Sequence, residues 1–133
     1  MLNDIISHYW KSPQNKISIK WADIRYWEEN GLCWDSLEVF IKLEWDKIID
    51  WWFEGNTSII TTACASLFWE SIIWKNINEI LELWYSYMKD LLWEDVSPRR
   101  KNASVLWLLA TRNAIHEFLK DWKVDNFDDI TNI

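Results

Sequence analysis

Leu37, Val39, Ile41 and Leu43 alternate with Ser36, Glu38, Lys42 and Glu44, the period of two that lays one face of a strand on a core. Phe40 is the exception to the pattern. After Trp45 and Asp46, Lys47 to Phe53 reads as a second strand, which predicts an antiparallel hairpin with a two-residue connection. Upstream, Leu2 to Trp10 suggests a short helix, broken at Ser12-Pro13-Gln14-Asn15, and Ile17 to Arg25 is weakly strand-like. Asn30 to Asp35 reads as a loop. Downstream the period changes. Asn56, Thr57 or Ser58 is placed to cap a helix from Ile59 to Ile73, and Ile77, Ile80, Leu81, Trp84, Tyr87, Met88 and Leu91 keep helical spacing over Ile77 to Leu92. Ser97-Pro98 interrupts, and Arg100 to Lys120 predicts the last helix, with Leu108, Ile115, Phe118 and Leu119 facing inward. Strands first and helices afterwards predict an α+β fold, helices packed on one face of a small antiparallel sheet. Residues 1–124 form one domain, and the acidic tail 125–133 is expected to be mobile.

The hairpin connection carries a second signal. A two-residue turn of this kind favours glycine, because its backbone takes positive φ, yet Trp45 stands there. Trp122 follows a helix where a glycine cap is expected, and Trp74 and Trp93 also fall at predicted helix ends. The chain has thirteen Trp and two Gly, whereas about 7% Gly is usual. Some bacteria read the UGA codon as glycine, and a table that reads it as tryptophan puts Trp at each such position. Many or all of the tryptophans are therefore expected to be glycines in the native protein. The competing reading is an aromatic-rich binding module with genuine tryptophans, which would have no reason to concentrate them at turns.

Fourteen Lys+Arg against twenty-one Asp+Glu give a net charge of −7, the wrong sign for a nucleic-acid binder. No apolar run approaches the ~20 residues of a membrane helix, and Met1-Leu2-Asn3-Asp4 does not open like a signal peptide. The expectation is a cytoplasmic protein in which Cys33 and Cys64 are not a disulfide. There is no Ser-His-Asp set, Gly-rich phosphate loop or His pair at metal spacing, and no enzyme is expected.

At Asn30-Gly31-Leu32-Cys33-Trp34-Asp35, with Trp34 read as Gly, the chain resembles the Cys-Gly-Asp loop of the iron–sulfur cluster assembly scaffolds of the NifU amino-terminal, IscU and SufU type. The likeness continues in order. His8-Tyr9 with Pro13 and Asn15 resembles the family's His-Tyr…Pro-Arg-Asn, with one residue inserted and Gln14 for Arg. Phe53-Glu54-Gly55-Asn56-Thr57-Ser58 matches the Phe-x-x-x-Gly-Cys segment. Ala63-Cys64-Ala65-Ser66, Glu70 and Trp74-Lys75 match Ala-Ser-x-Ser…Glu…Gly-Lys. Pro98 to Leu106 matches the Arg-x-x-Cys-x-x-Leu opening of the last helix.

The resemblance implies a three-stranded antiparallel sheet with helices on one face and a protein that accepts sulfur from a cysteine desulfurase, combines it with iron and passes the cluster to recipient proteins. Three cysteines and an aspartate would hold the metal, thiolates being soft ligands suited to iron and zinc. Here Cys33 and Asp35 take the first cysteine and aspartate positions, while Ser58 and Ala103 stand at the other two cysteine positions, which leaves an incomplete set for a cluster, iron or zinc. Two Cys33–Asp35 pairs across a homodimer would supply four ligands. Cys64 lies six residues beyond Ser58, about 240° round the helix, and reads as a buried small residue. His116 is expected at the edge of the apolar face, and His8 in a capping or partner contact. Arg99, Arg100 and Lys101 form a basic spot that either contacts the desulfurase, orients Asp35, or is a solvated helix start. The alternative function is a metal-free adaptor or regulator that keeps the fold to bind assembly partners.

Overall fold

The structure, a computed structural model, describes residues 2–11, 13, 15–17, 19–31 and 34–132. Its elements run α1 (Leu2–Lys11), β1 (Ile24–Asn30), β2 (Asp35–Glu44), β3 (Lys47–Glu54), α2 (Ile59–Ile72), α3 (Ile77–Ile80), α4 (Tyr85–Leu92), α5 (Pro98–Leu119) and α6 (Phe127–Thr131). The three strands form one antiparallel sheet in the order β1-β2-β3. The predicted hairpin is present, with Glu44 opposite Lys47 and Trp45-Asp46 between them. Leu37, Val39 and Ile41 of β2 are fully buried, as period-two alternation requires of the core face. Phe40 keeps that alternation and lies on the other face, where it is buried opposite Arg25 and Trp52, with the Arg25 guanidinium 5.0 Å above its ring.

Helices α2 and α5 pack together and cover the sheet, while α1 packs on α2. Because neighbours enclose it, α2 buries every residue from Thr61 to Ser66 and shows no amphipathic stripe; small side chains let those neighbours approach. Trp107 of α5 stacks on Phe68 at 5.2 Å and meets Trp51 of β3 edge-on at 6.5 Å. Both indole N–H groups are bonded, Trp51 to the Thr111 hydroxyl and Trp107 to the Ser104 carbonyl. The N-terminal segment runs beside β3: the Asn15 carbonyl accepts from the Phe53 N–H at 3.0 Å, and the buried Asn15 amide donates to Ala65.

Several boundaries differ from the sequence reading. Of the weak strand expected over Ile17 to Arg25, only Ile24 and Arg25 pair, as the start of β1, and a lone bridge at Lys16 precedes it. The helix expected over Ile77 to Leu92 is two helices. The chain turns at Leu81 to Leu83, where Arg112 of α5 donates to the Leu83 carbonyl at 2.7 Å, and Trp84 is extended before α4 begins. Helical spacing survives on both sides of the break, so periodicity alone could not reveal it. Phe118 and Leu119 are exposed, because α5 runs past the core after His116. Within the acidic tail the chain forms α6. Asn126 and Asp129 form a reciprocal capping box for α6, and Ile130 is fully buried. Polar residues thus fold the tail back by capping, and one apolar side chain anchors it.

Candidate functional site

Asp35 opens β2 and lies close to the start of α2. The two are clamped by backbone contacts: the Ser36 N–H donates to the Asn56 carbonyl at 3.1 Å, and the Asn56 amide reaches the Trp34 carbonyl at 3.4 Å. Gly55, at φ 144°, is what permits the approach, since a Cβ there would sit 2.4 Å from the Ser36 carbonyl oxygen. Ser58 then caps α2, its hydroxyl accepting from the Thr61 N–H at 3.2 Å.

The Asp35 carboxylate is only 1% exposed and lies within this cap. One oxygen accepts from the Ser58 N–H at 2.8 Å. The other faces the Ser58 hydroxyl at 3.3 Å and accepts from the Thr61 hydroxyl. Burying a carboxylate is costly unless such donors meet it. The Thr61 oxygen also lies 3.2 Å from the Ala103 carbonyl, in the second turn of α5. Asp35, Ser58 and Ala103, which come from three stretches far apart in sequence, therefore meet around Thr61. Cys33 lies outside the described residues. A groove of about 270 Å³ runs beside Asp35, lined by Trp27, Asn30, Gly31, Trp34 and Asn56 among others.

The donor inventory at this corner is short. Asp35 is engaged on both oxygens, the Ser58 hydroxyl is held in the cap, and the Ala103 side chain offers nothing to a metal. Among the described residues no three His, Cys, Asp or Glu side chains gather in an arrangement that could hold an ion. Arg99 and Arg100 are exposed at the start of α5, and Lys101 lies over the Tyr85 ring at 4.5 Å. The basic spot thus stands on the helix that brings Ala103 to the corner. Thr61 is the residue that sequence reasoning passed over; its place three residues after a Ser cap was the available signal.

The remaining candidates lie elsewhere. Cys64 is buried in the core, and burial pushes its thiol up to about 12, so it is a packing residue and not a nucleophile. His116 sits on α5 thirteen residues beyond Ala103, about 20 Å along the axis. Its Nδ1 is 2.8 Å from Asp121 and its Nε2 3.0 Å from Asp125, which also pairs with Arg112 at 2.8 Å. This cluster ties the chain after α5 back onto the helix. His8 meets the Tyr9 ring edge-on at 5.0 Å.

A family model described as the NifU-like N terminal domain matches residues 2–125. Among solved structures, the chain is similar to a putative iron–sulfur cluster assembly scaffold protein for the SUF system from Fervidobacterium islandicum, with 21% identity and a TM-score of 0.71 over 84% of this chain and 94% of that one. It is also similar to the N-terminal part of a nitrogen-fixing NifU-like protein from Brucella abortus, with 13% identity and a TM-score of 0.70 over 91% of this chain and 99% of the other. These two likenesses show a shared fold. No relative is found among curated proteins.

Proposed function

The chain belongs to the family of NifU-like N-terminal domains, and we propose on that footing that it serves iron–sulfur cluster assembly as a scaffold-type protein with a reduced cargo site, taking sulfur at Cys33 from a cysteine desulfurase and holding iron or a cluster weakly. The supporting observation is the meeting of Asp35, Ser58 and Ala103 around Thr61. Ser58 and Ala103 are the positions at which the resemblance implies two further thiols.

Sulfur acceptance needs a single thiol. The Cys33 thiolate attacks the outer sulfur of the desulfurase persulfide; the new S–S bond forms as the old one breaks, and the desulfurase cysteine leaves as a thiolate. No electrons are gained or lost overall, and the sulfur is taken up stoichiometrically, without turnover. Cluster holding demands more than Cys33 and Asp35 of one chain, so a second copy or a partner completes the sphere. The exposed Arg99 and Arg100 offer charge to an acidic partner beside the corner, and recipient proteins would collect the cargo there. No described helix is long and apolar enough to cross a membrane, and a cytoplasmic location fits thiol chemistry.

The saturated Asp35 carboxylate favours a second reading: a metal-free adaptor that docks on the assembly machinery. One anaerobic experiment separates the two. Incubation with a sulfur-loaded desulfurase, iron and sulfide should leave one extra sulfur on the protein and visible charge-transfer absorption, both lost in Cys33→Ala. Desulfurase binding with neither sulfur nor iron retained would establish the adaptor instead.

A further inference from the structure

Six residues other than glycine have positive φ among the described residues: Trp34 at 53°, Trp45 at 60°, Trp74 at 72°, Trp93 at 62°, Lys120 at 55° and Trp122 at 65°. Five of the six are the same amino acid. Tryptophan has no affinity for this region. Its Cβ is pressed toward the neighbouring carbonyl, and it lacks the short polar side chain that lets Asn or Asp bond locally there. Lys120 is what an ordinary exception looks like, a helix cap whose N–H bonds back to Glu117 and His116.

Each Trp sits where the backbone has a specific use for glycine. Trp45 is the first of the two hairpin residues and Asp46 does not share its sign, the pattern of a II′ turn with glycine first. Trp93 is the left-handed residue that ends α4. Trp74 ends the turn after α2, its N–H donating to Ile48 at 2.6 Å. Trp34 precedes Asp35 in the loop, and Trp122 lies in the turn after α5. Nor do the side chains repay the strain by packing: all five are exposed, Trp45 and Trp122 by 93%. Trp51 and Trp107, by contrast, lie in the core at ordinary φ with their ring N–H groups bonded.

We infer that Trp34, Trp45, Trp74, Trp93 and Trp122 are glycines in the protein its own cells make, decoded from UGA. Tryptophans placed without regard to the backbone would not single out left-handed turns, whereas one codon meaning glycine does. The substitution matters at the corner. Trp34 lines the groove beside Asp35, and glycine there leaves that groove wider.

Peptide mass spectrometry of the protein isolated from its own cells tests the inference. The expected result is glycine at all five positions, each peptide lighter by an indolylmethyl group exchanged for hydrogen, and UGA at the five codons of the gene. Tryptophan at any of the five, or a UGG codon there, overturns it.

Discussion

The Thr61 hydroxyl donates to the Asp35 carboxylate, joining the third residue of α2 to the first residue of β2. Neither residue is exposed, and together with Ser58 they convert a carboxylate that could face a metal into part of a helix cap. Thr61→Val removes the hydroxyl at nearly constant shape and leaves the Asp35 oxygen short of a donor. The expected loss is about 1–3 kcal/mol, read from urea unfolding, with Thr61→Ser retaining most of the stability.

Restoring the missing thiols should restore the site. In Ser58→Cys/Ala103→Cys, two new thiols stand beside Asp35 at the corner where the resemblance implies three, and zinc or iron affinity should rise by at least tenfold over the parent chain. Competition with a metallochromic chelator measures it. The added thiols should be protected from alkylation by metal in that variant and not in one that also carries Cys33→Ala.

Glycine substitution should change sign with backbone geometry. In the tryptophan-bearing chain, Trp45→Gly relieves left-handed strain of roughly 1–2 kcal/mol against about 0.5–1 kcal/mol of added chain freedom in the unfolded state, so stability rises by up to ~1.5 kcal/mol. Trp27, mid-strand in β1 and exposed at ordinary φ, should lose about 0.5–1 kcal/mol on the same change. Paired thermal melts give the two signs directly.

Stability should fall on the alkaline side through two groups. Burial pushes the Cys64 thiol up to about 12; it also pushes Tyr85 up to about 12, helped by the hydrogen bond to Asp95. Each folded value lies above its ordinary one, near 9.0 for the thiol and 10.0 for the phenol. Their contributions are therefore complete below pH 9 and are lost as pH rises toward 12. Denaturation midpoints against pH should decline over that window, and Cys64→Ala should flatten the part that begins lowest.

Fold class, hairpin and the two long helices were legible because they rest on local periodicity: Leu37, Val39 and Ile41 alternate, and Ser58 caps a continuous run. The break at Leu81 to Leu83 was not, because helical spacing continues across it and the side chain that bonds it, Arg112, is remote in sequence. The return of the tail was hidden for a like reason. One buried Ile130 holds it, and a run of aspartates conceals a capping box. Of the corner, the positions of Asp35, Ser58 and Ala103 could be aligned from motifs. Their common partner Thr61 was passed over: its spacing from the Ser58 cap marks it as a residue of the helix start, but not as a donor to a carboxylate twenty-six residues earlier. The glycine-like role of Trp45, Trp74, Trp93 and Trp122 was readable from turn and helix-end chemistry and that of Trp34 from the resemblance to the Cys-Gly-Asp loop, and the backbone angles agree with it at each.

The family match ends at residue 125, two residues before α6 begins. A protein trimmed to that boundary would keep every strand and every residue of the corner, yet it would lose the isoleucine plug and bare the aliphatic seat beneath it. Such a shortened form would be prone to clump, and a clone meant for crystallisation or binding work should run through residue 131.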